Sequence, residues 1–298
     1  MTGIICLNKP EGITSFLAVA KARRIVGEKK AGHTGTLDPM ATGVLPIMFG
    51  GATRFLELLP TTQKGYRAKL RLGITTDTLD ITGTVTSERS VISTKSDVLK
   101  ALEQFRGDIM QLPPMYSAVS KDGVRLYELA RKGIVIEREK RQITINKLEM
   151  VCANEDENEY EIDVDCSAGT YIRTLISDIG EVLGCGAVMT KLCRTSANGF
   201  NIEDCVTLEE LENIVKNDEL DMLINAVDTT LSVYCELVVT QAQAQRFANG
   251  GALATDRIGE CKAVGLYRVY SPNKEFLGVG EIKEGSDELS VKRVFVQK

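Results

Sequence analysis

At 298 residues, with 43% hydrophobic and 26% charged side chains, the chain is long enough to bury a substantial core in one large domain with a smaller companion. No run approaches the roughly 20 apolar residues needed to span a membrane, and residues 3–7 are too short for the apolar part of a signal peptide, so a cytoplasmic protein is expected. A single histidine and eight scattered cysteines without a Cys-x-x-Cys pair argue against zinc and for reduced, mostly buried thiols. The net charge of −5 argues against a polyanion partner until it is divided along the chain: residues 1–74 hold eleven lysines and arginines against four acids, so one part of the surface can attract phosphates.

In chain order, residues 4–7 read as a short buried strand. Residues 15–26 read as a helix with Thr14 or Ser15 as N-cap and Gly27 just past its end. The next twelve residues, Gly32-His33-Thr34-Gly35-Thr36-Leu37-Asp38-Pro39-Met40-Ala41-Thr42-Gly43, contain the lone histidine and a lone aspartate in a run otherwise free of charge. Its glycines permit positive φ or close approach, and Pro39 fixes its own φ and biases Asp38 toward an extended backbone, so the carboxylate sits on a stiff turn. A bare Asp-Pro pair would mean only a turn between strands. An apolar strand follows over 44–49. Gly50-Gly51-Ala52-Thr53-Arg54 lacks the lysine and spacing of a phosphate loop and reads as a tight turn. Residues 66–72 alternate, with Tyr66, Ala68, Leu70 and Leu72 on one face and Arg67, Lys69 and Arg71 on the other. Val98, Leu99, Leu102 and Phe105 form a helical stripe, and residues 124–132 a second helix closed by Gly133. Two long strand-like runs, 141–152 and 159–166, joined by a polar turn, read as a hairpin. Ile172, Leu175, Ile176, Ile179 and Leu183 define a helix over 170–183, stopped by Gly184, with Tyr171 and Arg173 in its first turn just off the buried stripe. Thr207-Leu208-Glu209-Glu210 has the spacing of a capping box. From about Leu231, short apolar runs alternate with Gly-Gly and Ser-Pro-Asn turns, the pattern of a small β-barrel. Strands and helices in mixed order, without a βαβ rhythm, give an α+β class.

The run from Gly32 to Pro46 resembles the catalytic signature of the tRNA pseudouridine synthase B family, with Met40 where that signature usually has Leu. Further resemblances follow in the family's order. Residues 3–10 are similar to its opening Lys-Pro motif, with Asn8 in place of the usual Asp. Lys64-Gly65-Tyr66-Arg67-Ala68 resembles the motif that supplies an active-site tyrosine. Thr76-Asp77-Thr78-Leu79-Asp80 resembles the Thr-Asp-Thr segment that follows it, and residues 111–118 resemble the segment that forms the pocket wall. Gly169-Thr170-Tyr171-Ile172-Arg173 resembles the motif whose arginine pairs with the catalytic aspartate.

This resemblance implies an α+β pseudouridine synthase core with a mixed, mainly antiparallel sheet over residues 1–230 and a small PUA-like RNA-binding barrel over 231–298. It implies an isomerase that cleaves the N-glycosidic bond of uridine 55 in the T-loop of tRNA and rejoins the base through C5. That reaction has no redox change, so no cofactor and no metal are expected. Asp38 is implied as the nucleophile or base, Arg173 as the group that holds it ionised, and Tyr66 as the ring that stacks on the uracil. Lys9 is implied as a phosphate or pocket-wall contact, His33 as a wedge in the RNA loop, Tyr171 as a further RNA-side residue, and Leu192 as the apolar position beneath the base. The expected partner is the T-arm of tRNA, bound by a monomer with no obligatory protein partner and no membrane. Without the motifs around them, Tyr66 and Leu192 read as core residues, Arg173 as a cap or surface arginine, and His33 as a satisfied turn residue. Two other readings stay open: a scaffold that acts mainly by folding tRNA, and the guide-RNA-dependent relative. In the latter the pattern after Asp-Pro continues Lys-Val-Thr-Gly where this chain has Met40-Ala41-Thr42-Gly43.

Overall fold

A computed structural model describes residues 1–60, 63–121, 123–259 and 263–296. Its larger sheet runs in the order Gly3–Lys9, Thr42–Phe49, Ala187–Ala197, Lys64–Leu72, Glu159–Cys166, Arg141–Asn154 and Gly107–Gln111, with Ala31–His33 beside Thr42–Phe49 and Phe200–Asn201 beside Ala187–Ala197. Neighbours are antiparallel except Thr42–Phe49 against Ala187–Ala197, where Cys193 faces Thr42 and Arg194 faces Gly43 in parallel register. The sheet is therefore mixed and mainly antiparallel, as the resemblance implied.

Period-two alternation explains how this sheet is covered. Along Gly3–Lys9, Ile5 and Leu7 pack with Ala18, Val19 and Ala22 of the helix Ser15–Val26 and with Leu211 of Leu208–Lys216, whereas Ile4 and Cys6 join Val44, Met48, Phe55 and Leu58 on the other face. Both faces are dry, which is why the strand reads as a continuous apolar run. Toward the opposite edge, the helices Lys95–Glu103 and Ile172–Val182 bury Val98, Leu102, Leu175, Ile176 and Ile179 against Leu70, Leu72, Ile143 and Ile162.

Some expectations shift. Leu99 is exposed and Ala101 takes its place in the buried stripe. The helix expected over 124–132 shortens to Leu126–Ala130. Only Cys6, Cys166 and Cys185 are buried, Cys193 and Cys205 are intermediate, Cys152 and Cys235 are exposed, and Cys261 lies outside the described residues. The cationic face of Lys64–Leu72 is also not free. Arg67, Lys69 and Arg71 stand opposite Asp163, Glu161 and Glu159 in register, and Arg67 Nε lies 2.8 Å from Asp163 Oδ1 while Arg71 Nε donates to Glu159 Oε1 at 3.0 Å and Lys69 also pairs with Glu159. Cross-strand pairing thus neutralises a stripe that the sequence left open to phosphates.

The last part of the chain forms a five-stranded sheet in the order Cys235–Val238, Gly265–Tyr270, Phe276–Ile282, Glu288–Val294 and Leu253–Ala254, with the helix Gln241–Ala248 packed on it through Phe247. It has the strand content expected of the PUA-like unit and adds a helix that the sequence reading did not contain. It docks on the 3-10 helix Gly50–Leu58, where the Phe55 ring lies 5.7 Å from Phe276 and 6.1 Å from Phe295, and Tyr234 Oη donates to Leu58 O at 2.8 Å.

Candidate active site

Asp38 lies on the turn between Ala31–His33 and Thr42–Phe49, and three neighbouring elements fix that turn. Thr14 caps the first helix, which frees Ser15: its Oγ accepts from Leu37 N at 2.8 Å and donates to Leu37 O at 3.1 Å. Lys9, fully buried, donates its ammonium hydrogens to Ile13 O at 2.7 Å, Pro10 O at 2.8 Å and Pro39 O at 3.2 Å, while Gly12 N also donates to Pro39 O. From the sheet side comes Arg194, 0% exposed, whose Nε donates to Val44 O at 2.7 Å, Nη2 to Gly35 O at 3.1 Å and Nη1 to Thr36 O at 3.3 Å. Gly43 is what lets this strand come so close. It has φ +99°, and a Cβ there would sit 2.2 Å from Arg194 O.

Asp38 points at Arg173, in the first turn of Ile172–Val182. Nε of Arg173 is 2.9 Å from Asp38 Oδ2, and Nη2 donates to Oδ1 at 3.4 Å. The rest of the guanidinium is used as well: Nη2 donates to Tyr116 O at 2.8 Å and Nη1 to Thr78 O at 2.9 Å, with Asp80 Oδ2 at 3.6 Å from Nη1. The Thr-Asp-Thr segment and the segment expected to form the pocket wall thereby acquire a physical task. Asp80, buried, accepts from Thr78 Oγ1, Thr82 N and Thr82 Oγ1, and so shapes the segment that offers Thr78 O. Gln111 clamps the backbone of Tyr171, accepting from its N at 2.8 Å and donating to its O at 3.0 Å, which fixes the start of the arginine-bearing helix.

Burial pushes the Asp38 carboxyl above its ordinary range and Asp80 adds to this, while Arg173 and Lys9 oppose it. The Asp38 side chain remains 36% exposed, so a substrate can reach it, whereas the Arg173 side chain is only 6% exposed. Leu37 and Met40, which flank Asp38 in the chain, belong with Tyr66 and Leu192 to one buried apolar cluster, and Tyr66 lies near enough to feel the Asp38 charge. Burial raises the Tyr66 phenol, and the nearby Arg194 charge opposes that rise. Among the described residues no three His, Cys, Asp or Glu side chains come together as a metal-binding group.

The fold thus brings Asp38, Arg173, Tyr66 and Leu192 to one place and anchors Tyr171 beside them. It gives Lys9 another position than a phosphate contact: with three carbonyls around its buried ammonium, no donor faces outward, and the side chain supports Pro39 from beneath. Burial pulls its pKa down to about 8, against the attraction of Asp38 and Glu11. His33 is half-buried at the edge of a separate surface cavity. Sequence reasoning missed Ser15 as a support of the turn, Gln111, Asp80 and, above all, Arg194. The mark that Arg194 leaves is faint: it is one of two cations in the mixed strand Ala187–Ala197, whose alternation is broken by two register shifts.

Family models match nearly the whole chain. The one described as TruB family pseudouridylate synthase (N terminal domain) covers residues 23–172, tRNA pseudouridylate synthase B C-terminal domain covers 173–232, and Pseudouridine synthase II TruB, C-terminal, covers 235–295. The tRNA pseudouridine synthase B of Pseudomonas fluorescens is 45% identical over 287 residues, 95% of this chain and 92% of that protein. The protein of the same name from Clostridium kluyveri is 45% identical over 287 residues, 95% of this chain and 96% of its own. Among solved structures, the crystal structure of a Cbf5-Nop10-Gar1 complex contains a chain that superposes with a TM-score of 0.78 at 27% identity, over 99% of this chain and 85% of that one. A chain of the archaeal box H/ACA sRNP Nop10-Cbf5 complex gives 0.74 at 25% identity, over 99% and 86%.

Proposed function

The chain belongs to the TruB family of pseudouridylate synthases, and from that premise we propose that it converts uridine 55 in the T-loop of tRNA to pseudouridine, with Asp38 as the catalytic carboxylate. The observation that carries this reading is a carboxylate gripped by a buried arginine yet partly exposed, flanked in the chain by Leu37 and Met40 of a buried apolar cluster. The isomerisation breaks the C1′–N1 bond and forms a C1′–C5 bond; one proton leaves C5 and one is taken up at N1, so the balance closes within the nucleotide and solvent. The uridine must first be flipped out of the folded RNA to reach the site.

Each route open to Asp38 needs it ionised, whether it adds to the base, attacks the sugar or removes a ribose proton. A uracil seated on Leu192 and stacked on Tyr66 displaces water, which by itself favours protonation of Asp38. Arg173 opposes this through charge-assisted hydrogen bonds that strengthen as the site dries. Residues 1–230 form the catalytic domain in this reading, and residues 231–298 bind the tRNA outside the catalytic site. The protein works in the cytoplasm as a monomer without a protein partner, and a tRNA-folding role can coexist with catalysis. The 45% identity across 95% of the chain to the Pseudomonas and Clostridium proteins supports this reading over the guide-RNA-dependent one.

The test is the purified protein alone on an unmodified tRNA transcript, with pseudouridine formation followed by tritium release from C5-labelled uridine. Wild type turns over unaided, while Asp38→Asn, nearly isosteric, keeps RNA affinity and loses chemistry. A near-wild-type rate for Asp38→Asn would overturn the assignment. Turnover only with an added guide RNA and further proteins would favour the guide-dependent reading.

A further inference from the structure

Beside the Asp38 turn, the helix Ser15–Val26 and the strand Ala31–His33 enclose a second cavity of about 300 Å³. Val19, Ala20, Ala31 and Gly32 form its walls, and Phe16, Arg23 and His33 contribute the larger side chains around it. Packing of the fold leaves three features there unexplained. Phe16 is 81% exposed, on a helix whose buried face is made by Ser15, Ala18, Val19 and Ala22. No carboxylate of the described residues lies within ion-pair distance of Lys21, Arg23 or Arg24, and among the described residues the Arg23 side chain makes only a long 3.5 Å hydrogen bond to Lys29 O. His33 Nδ1 is sealed from solvent without a hydrogen-bond partner. The helix that presents Phe16 is also tied to the catalytic turn, because Ser15 bonds both backbone groups of Leu37.

We propose that this cavity receives the base of a nucleotide adjacent to the target uridine, unstacked from the same RNA loop. The proposal deepens the RNA-modifying function above and rests on it. Flipping the target strips its neighbour of a stacking partner, and Phe16 offers a flat apolar face in exchange. Arg23, with Lys21 and Arg24 on the same helix, supplies positive charge for the phosphodiester backbone at the cavity mouth. Burial and the Arg194 charge hold His33 below its ordinary pKa, so the ring at the cavity edge is neutral and adds no charge against an incoming base.

Stacking one base on an aromatic side chain corresponds to a loss of about 5- to 150-fold in affinity on alanine substitution. Dissociation constants are measured for wild type and Phe16→Ala on a T-arm stem-loop and on versions in which each nucleotide flanking the target is made abasic in turn. Phe16→Ala should weaken binding of the intact RNA within that range. One abasic position should weaken wild type by a similar factor and add nothing to Phe16→Ala. Losses that multiply at every position, or wild-type affinity for Phe16→Ala, would refute the cavity assignment. Because Phe16 is exposed, circular dichroism of the variant should match wild type. Pseudouridine formation by wild type on the intact stem-loop is measured in parallel: its absence sinks the proposed function, whereas turnover with multiplicative losses sinks only the cavity.

Discussion

Arg194→Met probes how the Asp38 turn is held. Methionine matches the length of the arginine stem and removes the cost of burying a charge, but it leaves Val44 O, Gly35 O and Thr36 O without their donor. Thr36 is exposed and can turn to water, Gly35 is half-buried, and Val44 is fully buried. At about 1–3 kcal/mol for a buried acceptor left unpaired, full weight for Val44 and roughly half for Gly35 give about 2–4 kcal/mol, reduced by the desolvation no longer required. About 2 kcal/mol should remain, most of it local, because the turn can loosen without opening the sheet. Amide exchange should therefore accelerate over residues 34–43 more than in the helix Ile172–Val182. Single-turnover pseudouridine formation should fall by about 10- to 100-fold, since a shift of about 1 Å at a reacting group costs roughly 100-fold. Arg194→Lys should lie between, because one ammonium on a flexible stem cannot reproduce a planar fork that reaches three carbonyls. Unchanged exchange in the turn together with turnover within about twofold of wild type would refute the positioning role.

Stability should trade against chemistry at Asp38. Its folded pKa is raised above the unfolded value, so the contribution present below the unfolded pKa is lost as pH rises through the folded one, and Asp38→Asn should melt higher than wild type at pH 7, with the gap closing toward pH 3. A lower melting temperature at pH 7 would mean that attraction to Arg173 outweighs burial. For RNA affinity, replacing Lys21 and Arg24 by glutamine should flatten the log Kd against log salt slope by about 0.7–0.9 for each phosphate that is no longer neutralised. Lys9→Met, or the pair Arg67→Gln with Asp163→Asn, should leave that slope alone, because these cations are already matched inside the protein. Gly43→Ala should cost about 2–6 kcal/mol from backbone strain plus the clash with Arg194 O, whereas Gly12→Ala, with φ +84° and open space around it, should cost strain alone, about 1–3 kcal/mol; equal melting temperatures for the two would contradict the close approach at Gly43.

The sequence by itself determined what neighbouring residues encode. Glycines and Pro39 write the stiff turn under Asp38, the spacing of Ile172, Leu175, Ile176 and Ile179 writes a helix face that is buried in the structure, and Thr207 with Glu210 writes a capping box that forms as spaced. The hairpin of Arg141–Asn154 and Glu159–Cys166 is equally local, since its polar turn and two strand-like runs lie side by side in the chain. Tertiary structure alone decided where the charges go. Arg194 is silent in sequence because its partners, Gly35, Thr36 and Val44, lie about 150 residues away, and the strand that delivers it is bulged. Lys9 and Arg67 look like phosphate contacts until carbonyls of other loops and acids of a strand 96 residues on close around them. A periodic pattern records which face of an element is dry, but a buried cation is stabilised by whichever oxygens the folded chain brings to it, and for Arg194 all three, for Lys9 the one on Pro39, lie far from it in the sequence.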